Sequence, residues 1–248
     1  MPRVTVRGVD LHFEQSGKGP PVLCLPGALG TGVTDFGPQL ASWSAHFTVI
    51  APDPRGYGKS RPPDRDFSSD FFERDADDMA ALMAAMGFST FAAAGWSDGV
   101  NSAALLASKY PDKVLKLVIW GGNSFISEED VARIESIREI STWSARMRKT
   151  LESVYGDSLQ ELWTVYCECI RKICREGGQI CRDRLGMIRC PTFILHGALD
   201  PLVPELHPEV FHHEISASRL QVFPAGRHNI HLASADEFNE SVLQFLLR

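Results

Sequence analysis

No apolar run in the 248-residue chain approaches the roughly 20 residues needed to span a bilayer as a helix, so a transmembrane helix is not expected. Basic excess is lacking too. Lys and Arg total 25 against 31 Asp and Glu, a formal net charge of -6, which argues against nucleic acid and anionic membrane as partners. The six cysteines are too few for a dense disulfide framework. Five of them, Cys167, Cys169, Cys174, Cys181 and Cys190, crowd one segment, yet no paired Cys-x-x-Cys knuckles and no His-x-x-x-His follow, so no metal site is expected. Cys167, Cys174 and Cys181 are spaced like one side of a helix that Gly177 and Gly178 interrupt. Free buried thiols behave as small hydrophobes and suit a reducing compartment. No charged-then-apolar signal segment opens the chain, and internal repeats and low-complexity tracts are absent.

What is present is an α/β pattern in a chain long enough for one large domain with an inserted cap. Val4–Val6 and Leu11–Glu14 read as a hairpin, and Val22–Leu25, Phe47–Ala51 and Leu115–Trp120 as apolar strands. Phe71–Met86 carries helical spacing, with Asp70 near its cap. Strands that are apolar throughout and alternate with helices mean a mostly parallel sheet buried on both faces. From Asn123 strand-like runs disappear and helical periodicity takes over, until Cys190-Pro191 restores the strands Thr192–His196 and Leu220–Phe223; a helix over Ser234–Leu247 closes the chain. The expected division is a core of residues 1–122 and 189–248, with a helical cap over 123–188.

The densest signal is Gly95-Trp96-Ser97-Asp98-Gly99, between the apolar strand Phe91–Ala94 and a small-residue helix over Asn101–Tyr110. Gly-x-Ser-x-Gly at a strand-to-helix turn is the nucleophile elbow. Its serine sits in a strained conformation, and the flanking glycines let strand and helix approach. A serine hydroxyl is a weak nucleophile, so it needs a base, and the base needs an orienting carboxylate. The order serine, acid, histidine is met by Ser97, Asp200 and His228, the last two on segments that follow late strands. Asp53 precedes the serine, and its Asp-Pro-Arg-Gly neighbourhood reads as a brace. His231 is the rival to His228 but already approaches the final helix. The oxyanion donors expected are the backbone N–H groups of Asp98, just past the nucleophile, and Ala28, in the Pro26-Gly27-Ala28 loop.

With these residues placed, the chain resembles α/β-hydrolases of the biphenyl hydrolase-like family across nearly its whole length. The resemblance rests on Thr34-Asp35-Phe36-Gly37-Pro38-Gln39-Leu40, Asp53-Pro54-Arg55-Gly56-Tyr57-Gly58 and Arg61-Pro62-Pro63-Asp64-Arg65-Asp66-Phe67. The elbow, Asp200-Pro201-Leu202-Val203-Pro204 and His228-Asn229-Ile230-His231-Leu232 complete it. It implies an eight-stranded, mostly parallel sheet with a helical cap after the sixth strand, and a Ser97-Asp200-His228 triad without cofactor or metal. It also implies a monomer acting on α-amino-acid esters, including prodrug esters, or thiolactones. The family's ammonium-binding aspartate carries over to Asp98, a role otherwise in competition with simple stabilisation of a helix N-terminus. One departure is Val100, where the family usually has a second glycine. The transit peptide of some members is missing, which implies a cytoplasmic protein, or a mitochondrial one in mature form. The same triad could instead serve plain carboxylic esters or carbon–carbon bond hydrolysis, or stand idle on a non-catalytic binding scaffold.

Overall fold

The computed structural model describes residues 2–248. Its sheet has eight strands: β1 (Arg3–Val6), β2 (Val9–Ser16), β3 (Pro21–Leu25), β4 (Thr48–Pro52), β5 (Phe91–Trp96), β6 (Val114–Trp120), β7 (Thr192–Gly197) and β8 (Ser218–Phe223). Their order is β1-β2-β4-β3-β5-β6-β7-β8, with β1 and β2 antiparallel and β3 to β8 parallel. The helices are α1 (Gly32–Ser42), α2 (Phe71–Ala85), α3 (Asp98–Lys109), α4 (Glu128–Glu135), α5 (Ala145–Tyr155), α6 (Leu159–Arg175), α7 (Leu206–Glu214), α8 (Ile230–Ala233) and α9 (Ala235–Leu246). None is long and apolar enough to cross a membrane.

Period-two alternation along each central strand feeds two cores. Ile50, Leu117 and Ile119 pack on one face with α2, α3 and the helical segment. Val49, Ala51, Val118 and Trp120 pack on the other with Phe36 of α1 and Phe238 of α9. Both faces are covered, so every residue of β4 and β7 is buried, which is why those segments are mainly apolar, with Thr48, Thr192 and His196 as buried polar exceptions.

Two helices carry no clear sequence signal. In α1 the residues Gly32, Gly37 and Pro38 are poor helix formers, and the backbone leaves helical geometry at Phe36 (φ -120°, ψ 18°). A capping box between Thr31 and Thr34 starts it, and burial of Phe36 and Gln39 holds it. In α7, buried His207, Pro208 and Phe211 replace the usual apolar stripe. Asp70 does take the N-cap of α2, but its carboxylate accepts from Ser68 Oγ (2.6 Å) and caps no backbone group.

Between β6 and β7 lie only helices and 3-10 turns, apart from a single bridge between Phe125 and Gln179. Cys167 and Cys174 are on α6, which ends before Gly177, while Cys181 lies beyond it with its thiol 3.5 Å from Asn101 Oδ1. All six thiols are free. Burial pushes Cys167 up to about 12 and Cys169 and Cys190 up to about 11, so these are poor nucleophiles.

The chain leaves β3 for β4 and returns to β5 on the other side of β3. A crevice therefore opens beyond the carboxyl ends of β3 and β5, the place where open α/β sheets bind ligands. The β3–β5 register pairs Leu25 with Gly95 and so sets the Pro26–Ala28 loop beside Ser97.

Candidate active site

Ser97 joins β5 to α3 with φ 53° and ψ -123°, a conformation that a residue with a side chain adopts only when its surroundings enforce it. The enforcement is steric. A Cβ on Gly95 would stand 2.4 Å from the Gly99 carbonyl oxygen, and one on Gly99 would stand 2.1 Å from that of Leu25. Both obstacles are backbone and cannot turn aside. Gly99→Ala is therefore expected to push α3 off the sheet, with a stability loss of about 2–3 kcal/mol and little remaining activity; thermal melting and turnover together check it.

The loops after β7 and β8 bring the other two residues to the serine. His228 Nε2 is 3.1 Å from Ser97 Oγ, and His228 Nδ1 is 2.9 Å from Asp200 Oδ2. Asp200 Oδ1 accepts the backbone N–H groups of Leu202 (2.8 Å) and Val203 (3.0 Å). Burial alone would raise the Asp200 carboxyl; His228 and those two N–H donors outweigh it and hold the group below its usual range. Trp96 Nε1 donates to the His228 carbonyl (3.0 Å) and fixes the loop. Serine, imidazole and carboxylate thus form one hydrogen-bonded line.

The rival residues stand elsewhere. His231 is buried between Trp96 and Trp120, with ring centroids 4.5 and 5.2 Å away, and burial drives it down to about 3. Asp53 accepts the N–H groups of Gly32 (3.0 Å) and Lys59 (2.8 Å), so it braces the segment after β4 against the start of α1.

Asp98 directly follows Ser97, and Ala28 follows Gly27 in the neighbouring loop. Among the described residues neither N–H donates to a protein acceptor. The loop carrying Ala28 presses on the nucleophile, since a Cβ on Gly27 would be 3.1 Å from Ser97 Cβ. Gly27 N–H in turn donates to Asp35 Oδ2 (2.9 Å), whose Oδ1 accepts from Thr34 Oγ1 (2.7 Å). Burial pushes the Asp35 carboxyl up to about 7.

The Asp98 side chain is the site's other charged group. Its Oδ1 accepts from the Tyr166 hydroxyl (2.8 Å), and its Oδ2 is buried without a hydrogen-bond partner. Burial pushes this carboxyl up to about 6, against the opposing effects of Tyr166 and Arg65. A buried carboxylate oxygen left unpaired is costly, and a cationic ligand would satisfy it. Asp98 lines a small cavity of about 30 Å³ with Ser97, His228, Ile126, Ile134 and Ile170. A larger opening of about 510 Å³ shares His228 and Leu202 with it and is walled by Ala28, Trp143, Met147 and Leu232. Val100 is buried, and a Cβ on Gly122 would stand 2.4 Å from the Val100 Cβ. The extra bulk at position 100 thus abuts a glycine and makes none of the wall of the smaller pocket.

Sequence reasoning missed Tyr166, Tyr155 and Asp35, because no local spacing ties them to Ser97. No cluster of three metal-ligating side chains occurs among the described residues.

A family model described as alpha/beta hydrolase fold matches residues 20–172. The human and mouse proteins named serine hydrolase BPHL are 49% and 48% identical to the chain over 248 residues, covering 98% of it and 85% of each relative. The 2-hydroxy-6-oxo-6-phenylhexa-2,4-dienoate hydrolase of Rhodococcus sp. strain RHA1 has a TM-score of 0.85 at 18% identity, with 99% of this chain and 98% of that one covered. The enol-lactonase of Burkholderia xenovorans LB400 has a TM-score of 0.81 at 22% identity, with 100% of both covered. At such identities the two structures share the fold alone. Identity near one half over almost the full chain goes further: the chain belongs to the biphenyl hydrolase-like serine hydrolases of the α/β-hydrolase family.

Proposed function

We propose that the protein hydrolyses carboxylic esters of α-amino acids through an acyl-enzyme on Ser97. His228 Nε2 takes the Ser97 proton as Oγ attacks the ester carbonyl. The N–H groups of Ala28 and Asp98 receive the oxyanion, and Asp200 orients the imidazole and stabilises its cation. The alcohol leaves with the proton from His228. Water then attacks the acyl-enzyme with His228 again as base, releasing the amino acid and restoring Ser97.

The observation that carries the substrate class is the Asp98 carboxylate, one residue past the nucleophile, with one oxygen buried and unpaired. An ammonium on the carbon next to the scissile carbonyl could pair with it, while a carboxylate on the acyl group would be repelled. The larger opening beside His228 has room for the bulkier groups of an ester.

The test is hydrolysis of phenylalanine ethyl ester against ethyl 3-phenylpropionate, which differs only in the α-amino group. The expected result is a large kcat/KM preference for the amine. Equal rates would leave a serine hydrolase without the amino-acid assignment. Turnover of neither, with Ser97 still labelled by a fluorophosphonate, would turn attention to carbon–carbon bond substrates; no labelling would point to a non-catalytic scaffold.

A further inference from the structure

Two tyrosine hydroxyls from the helical segment between β6 and β7 reach groups of the active site held by the sheet. Tyr155, the last residue of α5, is buried and donates to the Leu29 carbonyl (2.8 Å). Tyr166, in the middle of α6, is buried and donates to Asp98 Oδ1 (2.8 Å). We propose that both are positioning residues with separate duties: Tyr155 sets the oxyanion loop, and Tyr166 fixes the Asp98 carboxylate for an ammonium. The second half rests on the function proposed above; the first needs only the serine hydrolase chemistry.

Leu29 shows why its loop needs holding. Its φ is +60°, a left-handed conformation unfavourable for a residue with a side chain, and it directly follows the oxyanion donor Ala28. Ala28 is thus pinned on both sides, by Asp35 on the Gly27 N–H and by Tyr155 on the Leu29 carbonyl. The Tyr155 oxygen also accepts the Gly58 N–H (3.3 Å). Its ring lies under the Arg61 guanidinium (4.9 Å), and Arg61 itself bonds the Gly58 and Val154 carbonyls (3.0 and 3.1 Å). An anchor so restrained transmits its position to the loop.

Tyr166 is restrained as well. Its ring stacks on Trp163 (4.9 Å, 23° between planes) and meets Phe67 edge-on (5.7 Å), and Trp163 Nε1 is tied to the Ile137 carbonyl (2.9 Å). Burial raises the phenol well above its ordinary value, so the hydroxyl keeps its proton and stays a donor. It occupies Oδ1 and leaves Oδ2 as the atom without a partner. The other titratable groups acting on Asp98 are Arg65, which is paired in bidentate fashion with Asp75 (2.9 and 2.6 Å), together with Asp75, His228, Tyr57 and Cys169. None of these hydrogen-bonds the carboxylate; among the described residues Tyr166 alone does.

Tyr155→Phe and Tyr166→Phe separate the duties, with the two phenyl-bearing ethyl esters as substrates and thermal melting as the check on folding. Tyr166→Phe is expected to lower the amine-to-no-amine ratio of kcat/KM about tenfold, mainly through KM for the amine ester. Loss of the phenol hydrogen bond also raises the Asp98 carboxyl, so the acid limb of that ratio moves to higher pH. Tyr166→Gln, which retains a donor, is expected to recover part of the ratio. Tyr155→Phe is expected to lower kcat about tenfold for both esters alike and to slow fluorophosphonate labelling. A Tyr166→Phe protein that keeps the wild-type ratio, or loses both substrates equally, overturns the Tyr166 assignment. A Tyr155→Phe protein with wild-type kcat, or one that separates the two esters, overturns the Tyr155 assignment. If the wild type itself does not discriminate, the amino-acid reading falls and takes the Tyr166 half with it, whereas the Tyr155 result still stands or falls on kcat.

Discussion

Ser97→Ala is expected to lower turnover by about 10⁴–10⁶-fold and to leave a folded protein that binds its ester. The reason lies in the single line from Ser97 Oγ through His228 to Asp200. Without the oxygen no acyl-enzyme forms, and what remains is orientation plus the two N–H donors acting on water. Serine and alanine both carry a Cβ, so the strain of the positive φ is common to both and folding should change little. His228→Ala should cost nearly as much on its own, and the double variant little more, because serine and imidazole act as one unit. Single-turnover kinetics with a chromogenic ester would show no burst in any of the three. A Ser97→Ala protein with full turnover would sink the mechanism.

Asp98→Asn is the second large effect. Asparagine keeps the backbone N–H that serves the oxyanion, and its side chain is nearly the same size, but the charge is gone. A hydrogen bond to a charged group contributes about 1.5–3 kcal/mol, so kcat/KM for free-amine esters should fall between about tenfold and a hundredfold, and that for amine-free esters much less. The pH behaviour gives an independent reading. Burial raises the Asp98 carboxyl to about 6, so in the wild type the preference for the amine should grow as pH rises through 6 and the carboxylate forms. It should fade again toward the range where an α-amino group loses its proton, about 8. In Asp98→Asn the acid limb should vanish. A ratio flat in pH for the wild type would remove Asp98 from substrate recognition.

The elbow, the candidate triad residues and the apolar strands were legible in the sequence because each is written in local code. Gly95 and Gly99 are demanded by backbone atoms a few residues away or in the neighbouring strand, and a strand buried on both faces is apolar at most positions. Helix α1 was not legible, since its glycines and proline oppose helix formation and only the packing of Phe36 and Gln39 beneath it overrides them. The choice between His228 and His231 leaned on loop position in the sequence; in three dimensions it is decided by burial, three residues along the chain separating an imidazole on Ser97 from one enclosed by tryptophans. Tyr155 and Tyr166 had no signature at all. They lie 126 and 68 residues from the groups they hold, and a tyrosine on an amphipathic helix looks the same whether its hydroxyl meets water or a carboxylate. The sequence by itself pointed to serine hydrolase chemistry, because nucleophile, acid and base each require a particular residue type in a particular loop. The environment of those residues, including which carboxylate oxygen is left unpaired and what holds the oxyanion loop, was decided only when the helical segment folded back over the ends of the strands. Hydrogen bonds between distant segments depend on where the chain is placed in space, and no local pattern encodes that.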